Sequence, residues 1–169
     1  MWFAKPSVGT PLDWENPLNK GTVLALAMNE GHGDKVQDLS MNGNHGKLNN
    51  FAFPPTAASG WNPGQTGRGL NFNGVDNYIN CGHNPILNIL DAITISVLVS
   101  PNGNLPAIDG GITYKGNHAW QIWQEDTVAR FTSYISTTDQ DAAAYISHGD
   151  VANKPTNLVY TLDASTGVC

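Results

Sequence analysis

The sequence predicts an all-β protein built as an antiparallel β-sandwich, on three observations. First, turn formers are abundant and charge is sparse: 18 Gly and 10 Pro in 169 residues, with 13% charged residues. That composition suits many short strands joined by turns. Second, the segment AITISVLV at Ala92–Val99 alternates: Ile93, Ile95, Val97 and Val99 are separated by Thr94, Ser96 and Leu98. A period of two sends one row of side chains into a core. Third, strand-length segments at 111–115, 119–124, 129–135, 142–148 and 157–162 are bounded by Gly, Asn, Asp or Pro. Their spacing of about 10–14 residues is that of an antiparallel sandwich. No helical periodicity is sustained, and there is no internal repeat or low-complexity tract.

With 40% hydrophobic residues the chain can bury a core. The expected organisation is an irregular N-terminal arm over 1–20 and one domain over 21–169. The net charge is −6, and Lys and Arg are scattered without a basic run. A nucleic-acid backbone binder needs a basic face, so that class is excluded. No apolar run approaches the roughly 18–20 residues of a membrane span. The first residues lack the charged-then-apolar pattern of a cleaved export signal. The expected location is therefore a virion or other particle, or the exterior by a non-classical route. Cys81 and Cys169 have no metal-ligand spacing and are expected as two thiols.

Taken in order, 1–20 holds Pro6, Gly9, Pro11, Asp13 and Pro17, which break regular structure. Trp2, Phe3 and Trp14 either pack this arm on its own domain or dock it on a neighbouring subunit. The apolar run TVLALAMN at 22–29 reads as a buried strand, because Gly31 and Gly33 follow it. Residues 49–63 form a long loop with Pro54, Pro55 and Pro63, and Phe51, Phe53 and Trp61 are expected to clamp it to a sheet. In GRGLNFNGVDNYINCG, at 67–82, Leu70 and Phe72 precede and Tyr78 and Ile79 follow Asn73-Gly74-Val75-Asp76-Asn77. Gly, Asn and Asp tolerate the positive φ of tight turns, so the stretch predicts a hairpin. His83-Asn84-Pro85 makes a turn and 86–89 a helical turn. Pro101-Asn102-Gly103 ends the long strand.

Two of these stretches carry a family resemblance. DLSMNGNHG at 38–46 resembles the Asp-x-Ser-x-Asn-Gly-Asn-His-Gly motif of laminin-G-like, concanavalin A-like jelly-roll domains. GRGLNFNGVDNYINCG resembles their signature hairpin, a small residue, Leu and Phe leading into an Asp-Gly turn and a Tyr. The resemblance covers about residues 21–165 and implies a concanavalin A-like jelly roll. Met41 stands where the family usually has Gly, Asn73 and Asn77 where it commonly has Asp, and Leu98 near its usual Trp. The family continues with further strands after the turn at 163–167, so the resemblance implies a jelly roll lacking its last strands. Such a domain is expected to self-associate or to join a larger particle, through the edge at 157–169 or the arm carrying Trp2, Phe3 and Trp14. Phage-encoded proteins with this domain are similar in opening with a Pro/Trp-rich arm.

The chemistry-bearing residues point away from catalysis. Glycoside hydrolysis needs paired carboxylates across a cleft. The only glutamates are Glu15, Glu30 and Glu125, and the adjacent Glu125 and Asp126 fall on opposite faces of a strand. His32, His45, His83, His118 and His148 show no ligand spacing. Neither Ser59-Gly60 nor Ser147-His148-Gly149 has a nucleophile-elbow context. No cofactor motif is present. Calcium is the one metal whose oxygen-ligand chemistry the motif residues fit, through Asp38, Asn42, Asp76 and Asn77. The favoured alternative is that these side chains cap their own turns. Sugars stack on aromatic rings while amides and hydroxyls take their hydroxyl groups, which makes Trp120, Trp123, Tyr134 and Tyr145 candidate glycan contacts. Trp120 and Trp123 lie on opposite faces of their strand, so one of them belongs to the core.

The expected function is a non-catalytic binding or adhesion module that recognises glycans or a protein surface, lectin-like in character. The alternative is a structural surface component of a virion or filament, a decoration or fibre protein that assembles with other subunits. A glycoside-active enzyme ranks last.

Overall fold

A computed structural model describes residues 7–64, 67–89, 91–100, 110–115, 120–125, 130–135, 142–147 and 154–163. Among them are eleven strands, every pairing antiparallel, and no α-helix. Short 3-10 turns occur at Pro17–Asn19 and Pro85–Leu87. The chain forms two compact units, 1–87 and 88–169.

In the first unit, β1 (Lys35–Val36), β2 (Gly46–Asn49) and β5 (Tyr78–Asn80) form a sheet in the order β1-β2-β5, and β3 (Gly60–Gly64) pairs with β4 (Gly67–Asn71). Val36, Leu48, Phe51 and Trp61 are buried together, with Leu26, Met28, Leu70 and Ile79 packed around them. The Trp61 Nε1–H donates to the Gly33 carbonyl at 2.8 Å, so its polar handle is satisfied inside the core. Phe51 and Trp61 clamp the 49–63 segment as expected; Phe53 is exposed.

Three expectations fail here, for local reasons. Residues 22–29 are not a strand; Leu26 alone bridges to Asp38. The Ala25 N–H and the Thr22 and Val23 carbonyls bond side chains of 38–44, and the Ala25 carbonyl accepts the Leu39 N–H, so the contact stays local and no strand ladder forms. The second failure is the hairpin around 73–77: β4 pairs with β3, and β5 with β2. The Asn73 Oδ1 accepts the N–H groups of Val75, Asp76 and Asn77. That loop is built on a side chain rather than on a strand ladder. Phe72 and Tyr78, which flank it, are exposed, although Phe72 meets Phe51 edge-on at 5.1 Å. Third, part of the expected long loop is strand β3, despite Pro63. The hairpin of this region is β3–β4, with Gly64 and Gly67 on either side of its turn.

In the second unit, β6 (Ala92–Val99) and β11 (Thr156–Asp163) form a two-stranded ribbon paired from Ala92↔Asp163 to Val99↔Thr156. β7 (Gly110–Lys115), β8 (Trp120–Glu125), β9 (Arg130–Ile135) and β10 (Ala142–Ser147) form a meander in the order β10-β9-β8-β7. β7–β11 match the five sequence segments closely. The β6 register is the expected one: Ile93, Ile95, Val97 and Val99 are turned inward and Thr94 and Ser96 are exposed. The inward row is half-buried rather than largely buried, and the deepest side chains of this unit belong to β11. Leu158 is 1% exposed and Tyr160 3%, and Ile95, Val97, Val99 and Ile112 pack against them. β11 also lies against β9, and Ile112 of β7 packs against the ribbon's Leu158 and Tyr160.

Candidate functional site

Two regions hold the side chains expected to carry function. The first surrounds Asp38 in the first unit. Asp38 Oδ1 accepts the N–H of Ala25 (3.0 Å) and of Ser40 (2.9 Å). Its Oδ2 accepts Ser40 Oγ–H (2.8 Å) and the Asn44 N–H (2.9 Å). The Asp38 N–H in turn donates to His45 Nδ1 at 3.0 Å. Asn42 Nδ2 donates to the Thr22 carbonyl and Asn44 Nδ2 to the Val23 carbonyl, sewing the motif to 22–25. Burial raises the Asp38 pKa, but the hydrogen bonds from Ala25, Ser40 and Asn44 outweigh it and hold the carboxyl below its ordinary value. Nearby Cys81, half-buried, has its thiol pushed up by burial and then by the Asp38 charge.

The other two candidate metal ligands lie in the 73–77 loop. Asp76 Oδ1 accepts Asn73 Nδ2–H at 2.8 Å. Asn77 Oδ1 accepts the Asn73 N–H and the Ser59 hydroxyl, and its Nδ2 donates to the Asn50 carbonyl. The oxygens of Asp38 and Asn77 thus serve N–H and O–H donors, the use a turn cap makes of them. Among the described residues, no three His, Cys, Asp or Glu side chains gather as a metal site.

The second region is the four-stranded meander. The side chains of Trp120, Trp123, Tyr134 and Tyr145 lie outside the described residues; their strand positions and register do not. In an antiparallel sheet, directly opposite residues share a side. One row is Gly111↔Trp123↔Thr132↔Tyr145, and the next is Tyr114↔Gln121↔Tyr134↔Ala143. Alternation along β8 places both rows on one side of the sheet. Trp120 falls on the other, paired with Lys115 and Ile135. Adjacent residues of β7 report which side is open: Tyr114 is 59% exposed and Lys115 8%. The covered side carries positions Ile122, Phe131, Ile135 and Ile146 together with Gln124, Ser133 and Lys115.

Tyr114 joins this aromatic side although the sequence reading passed over it. A register shift between Gly111 and Thr113 breaks the count by twos along β7. Counting back from Lys115 alone separates Tyr114 from the covered side. Of the expected assembly residues, Trp14 is half-buried, and Trp2 and Phe3 lie outside the described residues. Among the described residues, no helix is long and apolar enough to cross a membrane. Comparison with protein-family models, with curated proteins and with solved structures finds no match to this chain.

Proposed function

We propose that this protein is a non-catalytic glycan-binding module whose platform is the open side of the β7–β10 sheet. One observation carries the reading: the strand register groups positions Tyr114, Trp123, Tyr134 and Tyr145 on the side where Tyr114 is exposed. Aromatic faces take the apolar faces of sugar rings. Gln121 and Thr132, on the same side, supply an amide and a hydroxyl for their hydroxyl groups. Trp120 acts as a core residue in this reading. The laminin-G-like jelly-roll assignment belongs to the same proposal, supported by the two motifs and by the all-β antiparallel architecture.

The test is a glycan array followed by titration of the strongest hit. Binding that Trp123→Ala abolishes and Trp14→Ala leaves intact supports the platform. An array without hits, or a hit indifferent to Trp123→Ala, sinks it. Capture of a protein surface instead of any glycan replaces the reading with the protein-adhesion alternative.

A further inference from the structure

We infer that the ligand is an uncharged, extended glycan that crosses the strands and spans all four of them. The inference rests on the glycan reading above and adds ligand length, direction and charge.

Each strand of the meander contributes one aromatic position to the open side: Tyr114 on β7, Trp123 on β8, Tyr134 on β9 and Tyr145 on β10. They alternate between the two adjacent rows, Tyr114 and Tyr134 in one, Trp123 and Tyr145 in the other. Neighbouring strands are about 4.8 Å apart, so aromatics sharing a row are ~10 Å apart. Rows two residues apart are offset by ~7 Å along the strands. The result is a zigzag of aromatic positions reaching ~14 Å across the sheet. A ligand laid along β8 meets Gln121, Trp123 and Glu125, a single aromatic. A ligand laid across the strands meets four. Gln121 lies between Tyr114 and Tyr134 in one row, and Thr132 between Trp123 and Tyr145 in the other. Every pair of aromatics in a row therefore has a polar position between it, where a sugar chain presents hydroxyl groups.

Charge selects among glycans. The chain as a whole is at −6. Among the described residues, the charged positions on this side of the meander are Glu125 and Arg130, which oppose each other in register and cancel. Neither an acidic nor a basic polymer finds a complementary field there, whereas a neutral one loses nothing. The absence of aliphatic residues larger than Ala143 at the paired positions of this side also separates it from an apolar protein-docking surface.

The experiment is calorimetric titration of the whole chain with neutral linear oligosaccharides of two to six sugars. The gluco-, xylo-, manno- and N-acetylglucosamine series are the probes, with hyaluronan oligomers as the acidic comparison. The expected result is a neutral series whose affinity rises at least about tenfold from disaccharide to tetrasaccharide. It then levels off, and hyaluronan binds no better than the disaccharide. Tyr114→Ala and Tyr145→Ala, at the outer strands, should each reduce tetrasaccharide affinity more than disaccharide affinity. Equal affinity for disaccharide and tetrasaccharide, or preference for hyaluronan, overturns the inference while leaving the glycan reading standing. Failure of every oligosaccharide at every length overturns the glycan reading itself. The length series needs only the unmodified protein, so it decides the matter even where a variant fails to fold.

Discussion

The two units hold themselves together in different ways. In the first, short strands frame loops whose order comes from side chains bonding backbone: Asp38 accepts four donors, and Asn73 and Asn77 organise the 73–77 turn. In the second, long strands pair along their whole length, and Leu158 and Tyr160 anchor one apolar layer. The contrast teaches that the first unit adds a few heavily used polar groups to its apolar core, while the second relies on a continuous ladder and an apolar face. The second arrangement leaves the far side of its sheet free to differ in chemistry, and that side carries positions Tyr114, Trp123, Tyr134 and Tyr145.

The sharpest way to break the contrast is Asp38→Ala. It strands the N–H groups of buried Ser40 and Asn44 and of half-buried Ala25, and each orphaned buried donor costs about 1–3 kcal/mol. We expect a loss on the order of 3–5 kcal/mol in urea unfolding, with the 22–46 amides exchanging first. A loss under about 1 kcal/mol would show that the knot is ornamental. The matching change in the second unit, Leu158→Ala, should cost about 2–4 kcal/mol through the cavity left. Val97→Ala, on the half-buried row, should cost only ~1 kcal/mol.

Smaller effects should separate the units by pH. The folded Asp38 pKa lies below its ordinary value of 3.8. Its stabilisation is therefore complete above that value and lost as pH falls through the lowered one. Burial pushes the Tyr160 phenol from 10.0 up to about 12. Unfolding releases that proton more readily, so stability is retained below 10 and lost as pH rises through 12. Acid should loosen the first unit, and Asp38→Asn should flatten that response. Alkali should loosen the second, and Tyr160→Phe should flatten that one. Melting curves across pH, read by residue-resolved exchange, check both. The smallest effect belongs to the outer face of the ribbon. Thr94 and Thr161 share a hydrogen bond at 3.1 Å in the open, and Thr94→Val should shift stability by no more than about 1 kcal/mol.

How much of this was legible in the sequence follows the same division. β6 and the segments of β7–β11 could be read because ladder pairing and a half-buried face impose a period of two. The first unit resisted, because its order depends on particular side chains bonding particular backbone groups, which leaves no period in the sequence. The run at 22–29 looks like a strand by hydrophobicity, yet Ala25 and Val23 bond the side chains of Asp38 and Asn44. The turn formers at 73–77 signalled a turn correctly but not its strand partners. The β3–β4 hairpin hid behind Pro63, although Gly64 and Gly67 marked its ends. For the platform, alternation separated Trp120 from Trp123, but only the register joins Trp123 to Thr132 and Tyr145 across strands.

The sidedness of the meander is the claim on which the binding account stands, and tryptophan oxidation with N-bromosuccinimide, followed by peptide mass spectrometry, tests it most directly. Trp123 should be oxidised in the folded protein and protected by a bound neutral tetrasaccharide, while Trp120 should react only after unfolding. Equal reactivity of the two tryptophans, or Trp120 reacting first, would contradict it.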